Sequence, residues 1–165
     1  MKFWSRKAAQ PAARPFLSRF SAASAVGAAP SYDALLREAY LANAIAARAV
    51  RMVAEAVGGA PLAASDPALV ALVRRPAAGQ ALLETLAAQL MLHGNAYVQL
   101  IGGADGVPAE LFALRPERVT VETDARGWPV AYRYRVGGQT LLLDAVDAGG
   151  LPAIVHIQAL HPGDD

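Results

Sequence analysis

Residues 90–100 read LMLHGNAYVQL, and a helical pattern changes to a strand pattern within this segment. Upstream, apolar residues recur at three- and four-residue spacing, as on one face of a helix: Leu82, Leu83, Leu86, Leu90 and Met91. Glycine takes the left-handed conformation without a Cβ clash, so Gly94 is the expected C-terminal cap. Residues with strand periodicity follow, with two sets that alternate: Ala96, Val98 and Leu100 against Tyr97 and Gln99. The sequence therefore predicts a helix that ends at Gly94 and a strand that begins directly after it.

A longer helix is predicted over residues 31–57, where alanine and larger apolar residues recur on one stripe. Ser31 or Asp33 is placed to cap its N-terminus, because both side chains accept hydrogen bonds from free backbone amides. Gly58-Gly59 is the expected end of the helix. Asn43 lies near the buried stripe, and two interpretations stay open: a polar contact, or a residue tolerated at half exposure.

Two shorter helices are predicted between this segment and Gly94. Asp66-Pro67 opens the first, with aspartate as the cap and proline at the first helical position. Arg74-Arg75 closes it, and cations are favourable at a helix C-terminus. A basic pair is also able to meet phosphate, so both roles remain. The second helix covers residues 79–93.

Short strands and turns are predicted downstream of residue 100. The glycines of 102–106 mark a turn, and no helix follows them as it would in a phosphate-binding loop. Gly137-Gly138 is a plausible two-residue hairpin turn. Strands are predicted over residues 109–114, 119–122, 130–136, 140–143 and 154–158. Helices first and a small antiparallel sheet afterwards make an α+β fold.

Residues 1–30 have the composition of a basic arm. They hold five cations and no acid: Lys2, Arg6, Lys7, Arg14 and Arg19. Proline, serine and alanine leave little to bury, which favours a disordered arm. A basic, serine- and alanine-rich, acid-free start also resembles an organelle transit peptide, whereas a secretory signal is not expected.

The composition bounds the possible function. With 165 residues the chain forms one ordinary domain, and no apolar run approaches the roughly 20 residues of a membrane span. Cysteine is absent, and three histidines lack metal-ligand spacing, so no metal or cofactor is predicted: His93, His156 and His161. A net charge of +1 argues against a dedicated nucleic-acid reader.

Two polar groups are candidates for chemistry. His93 and Asn95 meet at the helix–strand junction, as a general base with its orienting group or as residues that satisfy backbone groups there. In strand 130–136, Arg133 and Arg135 alternate with two tyrosines. The arginines form either a basic stripe against DNA or a solvated sheet face. His156 is expected as a satisfied sheet residue.

Several motifs in one order resemble the portal proteins of tailed phages, prophages and gene transfer agents. The helix–GNAY–strand signature is carried by His93, Gly94, Asn95, Ala96 and Tyr97. The stretch GVPAEL at 106–111 and the stretch LRPERV at 114–119 are similar to a "G-x-P-x-E-L … L-x-P-x-R-V" pattern, and VHI at 155–157 resembles a later strand. The resemblance extends over residues 31–165. One departure is RPAAG at 75–79, where the family commonly has an asparagine between prolines.

The resemblance implies a structural, non-enzymatic subunit without a cofactor. Portal subunits form a ring, expected to be twelve-membered, at one capsid vertex of a virion or virion-like particle assembled in the bacterial cytoplasm. The ring is the conduit through which double-stranded DNA passes non-specifically during packaging and ejection. The implied partners are further copies, the large terminase, the head–tail adaptor and the major capsid protein, with no membrane. The motif residues His93–Tyr97 are implied to be structural.

The resemblance also implies a domain organisation. Residues 1–30 would be the arm and residues 31–165 a wing-like α+β domain, and a clip, stem and crown region would follow. We therefore expect the chain to be the wing portion of a longer protein. Two other hypotheses stand beside this one: a nucleic-acid-binding module that uses the arm with Arg133 and Arg135, and a small enzyme with a site near His93.

Overall fold

The computed structural model describes residues 36–102, 107–146 and 149–159, so the predicted arm, Ser31, Asp33, His161 and the core of the 102–106 turn lie outside it. Helices come first and strands follow, which confirms the α+β prediction. The described ranges contain a π-helical turn, Arg37–Leu41, and a 3₁₀ turn, Pro116–Arg118. They also contain three α-helices and six strands: α1 Ala44–Gly58, α2 Pro67–Arg74, α3 Leu82–His93, β1 Asn95–Gly102, β2 Pro108–Leu114, β3 Val119–Thr123, β4 Pro129–Val136, β5 Gln139–Asp144 and β6 Ile154–Gln158.

The first predicted helix is interrupted by its own asparagine. Asn43 is extended, with φ −114° and ψ 100°, and its side-chain oxygen accepts from the amides of Ile45 and Ala46, each at 3.1 Å. Asparagine is among the best N-terminal caps because its short side chain reaches these amides. The prediction of one continuous helix over 31–57 is therefore wrong at Asn43, where α1 begins.

The C-terminal end of α1 lies where Gly58-Gly59 predicts it, but for another reason. Neither glycine has a positive φ, so no left-handed cap is formed there. A Cβ at Gly58 would collide with the side chain of Glu84 on α3. The small residue thus permits the close approach of α1 to α3.

The arginines after α2 bind backbone carbonyls. Asp66 caps α2 as predicted, accepting from the amide of Ala68 at 2.8 Å. Arg74 donates to the carbonyl of Ala60 and Arg75 to that of Ala109, both at 3.0 Å. The second bond joins the segment after α2 to strand β2.

The six described strands form two antiparallel sheets instead of the single predicted sheet. Sheet 1 has the order β2-β1-β6, and sheet 2 has the order β3-β4-β5. Each strand after β1 begins and ends within one residue of its predicted bounds. Gly137 and Gly138 form the predicted hairpin turn, with φ of 57° and 81°.

The elements stack in four layers: α1, α3, sheet 1 and sheet 2. Val50 and Ala54 are the buried residues of α1, which packs on α3. The other side of α3 meets one face of β1 through Ala96 and Val98. The opposite face of sheet 1 meets sheet 2 through a second cluster of buried residues: Tyr97, Leu114, Tyr132 and Ile154. Within the ranges that the structure describes, no helix has the length and apolar character to cross a membrane.

Candidate functional site

The junction between α3 and β1 has the predicted geometry. Gly94 has a φ of 65°, in the left-handed region, and its amide donates to the carbonyl of Leu90 at 2.9 Å. The chain therefore leaves α3 in a single residue, and β1 begins at Asn95. The strand is buried from its second residue, Ala96, which is fully inaccessible to solvent.

The side chain of Asn95 connects the helix end to strand β6. Its Nδ2 donates to the carbonyl of His93 at 3.2 Å, and its Oδ1 lies 2.8 Å from Nε2 of His156. An amide oxygen only accepts, so Nε2 of His156 carries the hydrogen in this contact. The amide of Ala159 also donates to the carbonyl of Gly94 at 2.9 Å, which closes β6 against the same turn.

Three aromatic side chains join the two sheets beside this turn. The rings of Tyr97 and His156 stack with centroids 4.3 Å apart and an interplanar angle of 22°. Tyr132, from sheet 2, meets both rings nearly edge-on, at centroid distances of 5.9 Å to Tyr97 and 6.1 Å to His156. Edge-to-face and offset-stacked pairs are the favourable arrangements of aromatic rings.

Burial shifts the pKa values of these three side chains in the direction that favours the neutral form of each. It raises the pKa of Tyr97 to about 12, with a smaller contribution from Tyr132, and it also raises the pKa of Tyr132. Desolvation lowers the pKa of His156 below its usual value of 6.5. Since its pKa lies below 6.5, the histidine is mainly neutral at pH 7, and the neutral form with the hydrogen on Nε2 fits the hydrogen bond to Asn95.

The hypothesis of an enzyme centred on His93 finds little support in this geometry. In that hypothesis Asn95 orients the imidazole of His93, but its amide binds the His93 carbonyl and the His156 ring. Burial lowers the pKa of His93, and the nearby Glu117 opposes this shift. In the described ranges, no three residues among His, Cys, Asp and Glu are grouped so that they could hold a metal ion.

The arginines of β4 lie on the face of sheet 2 that points away from the tyrosine cluster. Tyr132 and Tyr134 pack towards sheet 1, as their alternation with the arginines predicts. Arg133 pairs with Glu122 on the neighbouring strand. Arg135 is exposed, opposite Thr140 of β5. Of the two cations in the hypothesis of a basic stripe against DNA, one is thus already neutralised by a carboxylate.

Two polar contacts that hold the fold, one made by Gln89 and one by Arg75, were missed by the sequence analysis. Gln89 is buried on α3, and its Nε2 donates to the carbonyl of Leu114 at 2.9 Å, while its Oε1 has no hydrogen-bond partner among the described residues. The guanidinium of Arg75 donates a hydrogen bond to the backbone carbonyl of Ala109, as described above. A polar residue between Leu86 and Leu90 is a signal for a role of this kind, but nothing in the sequence identifies its partner.

Two grooves run along the contact between α1 and α3. The larger, of about 430 Å³, is lined by both helices and the turn at 79–81, with Arg51, Glu84 and Gln89 among its walls. The smaller, of about 270 Å³, is mainly apolar and lies beside Leu36 and Met91. The residues that line them form no pair of carboxylates and no nucleophile with an adjacent base.

Comparison with known proteins identifies one family. The family described as "Phage portal protein" matches residues 44–165. A chain from the virion of a native gene transfer agent (GTA) particle is 35% identical with a TM-score of 0.71, and the match covers 91% of this chain and 41% of that chain. A search of curated proteins finds no match.

Two chains from GTA necks have the same level of similarity. One belongs to the neck of a native GTA particle computed with C12 symmetry, at 35% identity and a TM-score of 0.71, covering 92% of this chain and 42% of that chain. The other belongs to the neck of an empty GTA particle computed with C6 symmetry, at 35% identity and a TM-score of 0.70, covering 90% of this chain and 42% of that chain. The chain thus spans about two fifths of each of these structures. With the family match over residues 44–165, these similarities show that the chain belongs to the phage portal protein family.

Proposed function

We propose that this chain is part of a portal subunit, a structural protein of the ring at one capsid vertex through which DNA is packaged and ejected. The observation that carries the proposal is the 35% identity, over about nine tenths of the chain, to chains of GTA virions and necks. The neck computed with C12 symmetry supports a ring of twelve copies. The similarity to virion particles supports a location at the portal vertex of a virion or GTA particle.

The contacts within the chain agree with a structural role without catalysis. The polar groups of the family motif, from His93 to Tyr97, hold α3, β1 and β6 together. We assign this motif to folding of the wing and not to chemistry. The proposal includes no cofactor and no metal.

The proposed contact with DNA is weak and non-specific. Tight phosphate binding by many cations would slow the passage of a genome, because each contact adds to the affinity. The net charge of +1 and the pairing of Arg133 with Glu122 support a mild interaction. Arg135, which is exposed, remains a candidate contact with DNA or with a neighbouring subunit.

The finer proposals concern partners and domains. The ring would contact the large terminase during packaging, the head–tail adaptor afterwards and the major capsid protein at the vertex, after assembly in the bacterial cytoplasm. Residues 31–165 would form the wing-like domain, with residues 1–30 as an arm and with the clip, stem and crown in the rest of the protein. The chain's span of about two fifths of the similar neck chains supports this division.

Electron microscopy with light scattering on the complete gene product tests the proposal. A ring with a central channel is expected. A compact monomer at all concentrations would contradict the portal assignment. Deletion of residues 1–30 tests the arm separately: we expect impaired ring or procapsid assembly, and normal assembly would remove the arm from the proposal.

A further inference from the structure

Helix α1 carries a second apolar face that the described part of the chain leaves exposed. Ile45 and Met52 are 84% and 54% exposed, although both are large apolar residues. Ala49 and Ala56 are exposed between and beyond them. The spacing of four, three and four residues places all four side chains on one line along the helix, which we name the α1 seam.

The α1 seam lies opposite the face that packs on α3. That inner face contains Val50 and Ala54, both buried. At 100° per residue, the seam residues point to the other side of the helix, and the charged Arg48, Arg51 and Glu55 occupy one flank between the two faces. A helix that is apolar on two opposite sides is typical of an element buried between two partners.

The four-layer order places the α1 seam at one end of the described layers. As the first layer, α1 has α3 on one side, and the α1 seam faces away from both sheets. The last described strand, β6, lies in sheet 1, on the far side of α3 from α1.

A ring supplies a partner on that side. In rotational symmetry above twofold, every subunit touches its two neighbours through two different faces. The similar GTA neck chains stand in structures computed with C12 and C6 symmetry. The α1 seam and the outer face of sheet 2 lie at opposite ends of the described layers, so they are two different faces of the kind that a ring subunit needs.

We infer that the α1 seam packs against a second copy of this chain in the ring, an inference that rests on the proposed portal function. The helix is about 22 Å long, so the seam supplies the apolar centre of the contact and not its whole area. Arg48 and Glu55, on its flank, belong to the polar rim that surrounds such centres.

The test replaces one seam residue in the complete gene product. Met52→Glu places a charge in the proposed contact, and Leu69→Glu is the matched control, because Leu69 on α2 is 49% exposed and lies outside the seam. With wild-type and control protein forming rings, we expect loss of the ring for Met52→Glu at unchanged circular dichroism and melting temperature. Ile45→Glu is the second variant and gives the same loss.

Rings from both seam variants would overturn the inference while the proposed function stands. A wild type that stays monomeric contradicts the proposed function, and the inference fails with it. These two failures are therefore distinguishable in the same experiment.

A cysteine probe identifies what covers the seam. Residues 1–165 contain no cysteine, so Met52→Cys introduces one reactive thiol into this part of the protein, located by peptide mass spectrometry. We expect maleimide to label it in the dissociated subunit and not in the ring. Protection already present in the dissociated subunit would show that the protein's own residues cover the seam, and would overturn the inference.

Discussion

Tyr97 and His156 face each other across the β1–β6 pair, and their rings stack at a centroid distance of 4.3 Å. Asn95 holds the imidazole through Nε2 at 2.8 Å, and Tyr132 covers the edge of both rings from sheet 2. One stacked pair thus connects the family motif, the last described strand and the second sheet. Its loss is expected to loosen all three together.

Replacement of these two side chains should show their coupling. Tyr97 is only 6% exposed, so Tyr97→Ala should cost about 3–5 kcal/mol in the free energy of unfolding, as for other large buried aromatics. In the double variant Tyr97→Ala/His156→Ala, the loss in the free energy of unfolding should be smaller than the sum of the two single losses. The expected difference is about 0.5–1.5 kcal/mol, the energy of the ring contact. Urea unfolding of the 165-residue chain measures all four proteins.

The control for this cycle pairs Tyr97→Ala with Met52→Ala, a position on the outer face of α1. Distant sites add within about 0.3–0.5 kcal/mol. Strict additivity of the Tyr97 and His156 variants would show that the stack contributes no energy of its own.

The stability of the chain should fall as the pH drops from 7 to 5. Burial lowers the pKa of His156 and of His93 in the folded state below 6.5, so the unfolded chain takes up protons first as the pH falls through that value. The loss ends once the pH lies below the folded-state pKa values. His156→Phe keeps an aromatic ring and removes one titrating group, so its loss between pH 7 and pH 5 should be smaller. An equal loss in both proteins would exclude His156 as a source.

Gly94→Ala should destabilise the chain by about 1–2 kcal/mol, the cost of a left-handed conformation for a residue with a Cβ. A Cβ at Gly94 would meet no atom within 4 Å, so the loss is conformational and not steric. Gly94→Asn should cost less, because asparagine tolerates this conformation. Gly102→Ala is the matched control: its Cβ also meets nothing within 4 Å and its φ is not positive. Equal effects of the two alanine substitutions would argue against the cap.

Ala78→Asn should stabilise the chain. Ala78 has a φ of 49° and is followed by Gly79 at 77°, in a tight turn closed by two hydrogen bonds between Ala77 and Gln80. Positive φ at both central positions favours the pair Asn-Gly. Relief of the alanine strain is expected to be worth about 1 kcal/mol. Ala78→Val should act in the opposite direction in the same melting experiment, and a gain from valine would refute the assignment of strain.

The local elements could be predicted from the sequence because their signals are local. Alternation defines each strand after β1 to within one residue, and the positions of Gly94 and of Gly137-Gly138 follow from the conformations that only glycine adopts easily. The break at Asn43 was missed although asparagine is a strong cap, because the apolar stripe continues through it. The period of a stripe does not show where the backbone is interrupted.

The pairing between distant residues could not be predicted in the same way. Nothing local assigns β6 to sheet 1 and β4 to sheet 2, since alternation gives a strand its faces but not its neighbours. The partners of Asn95 illustrate this limit: His156 lies 61 positions away along the chain. The family resemblance suggested the proposed function, which the residues alone left open.

The outermost position of α1 has a consequence for local opening. A helix held through one face opens at a lower free energy than one held on both sides, so amide hydrogens of α1 should exchange with solvent before those of α3, which lies between α1 and sheet 1. A subunit that docks on α1 would remove this difference. The amide hydrogens of α1 would then show the largest decrease in exchange rate when rings form. Measuring their exchange would therefore report ring assembly directly.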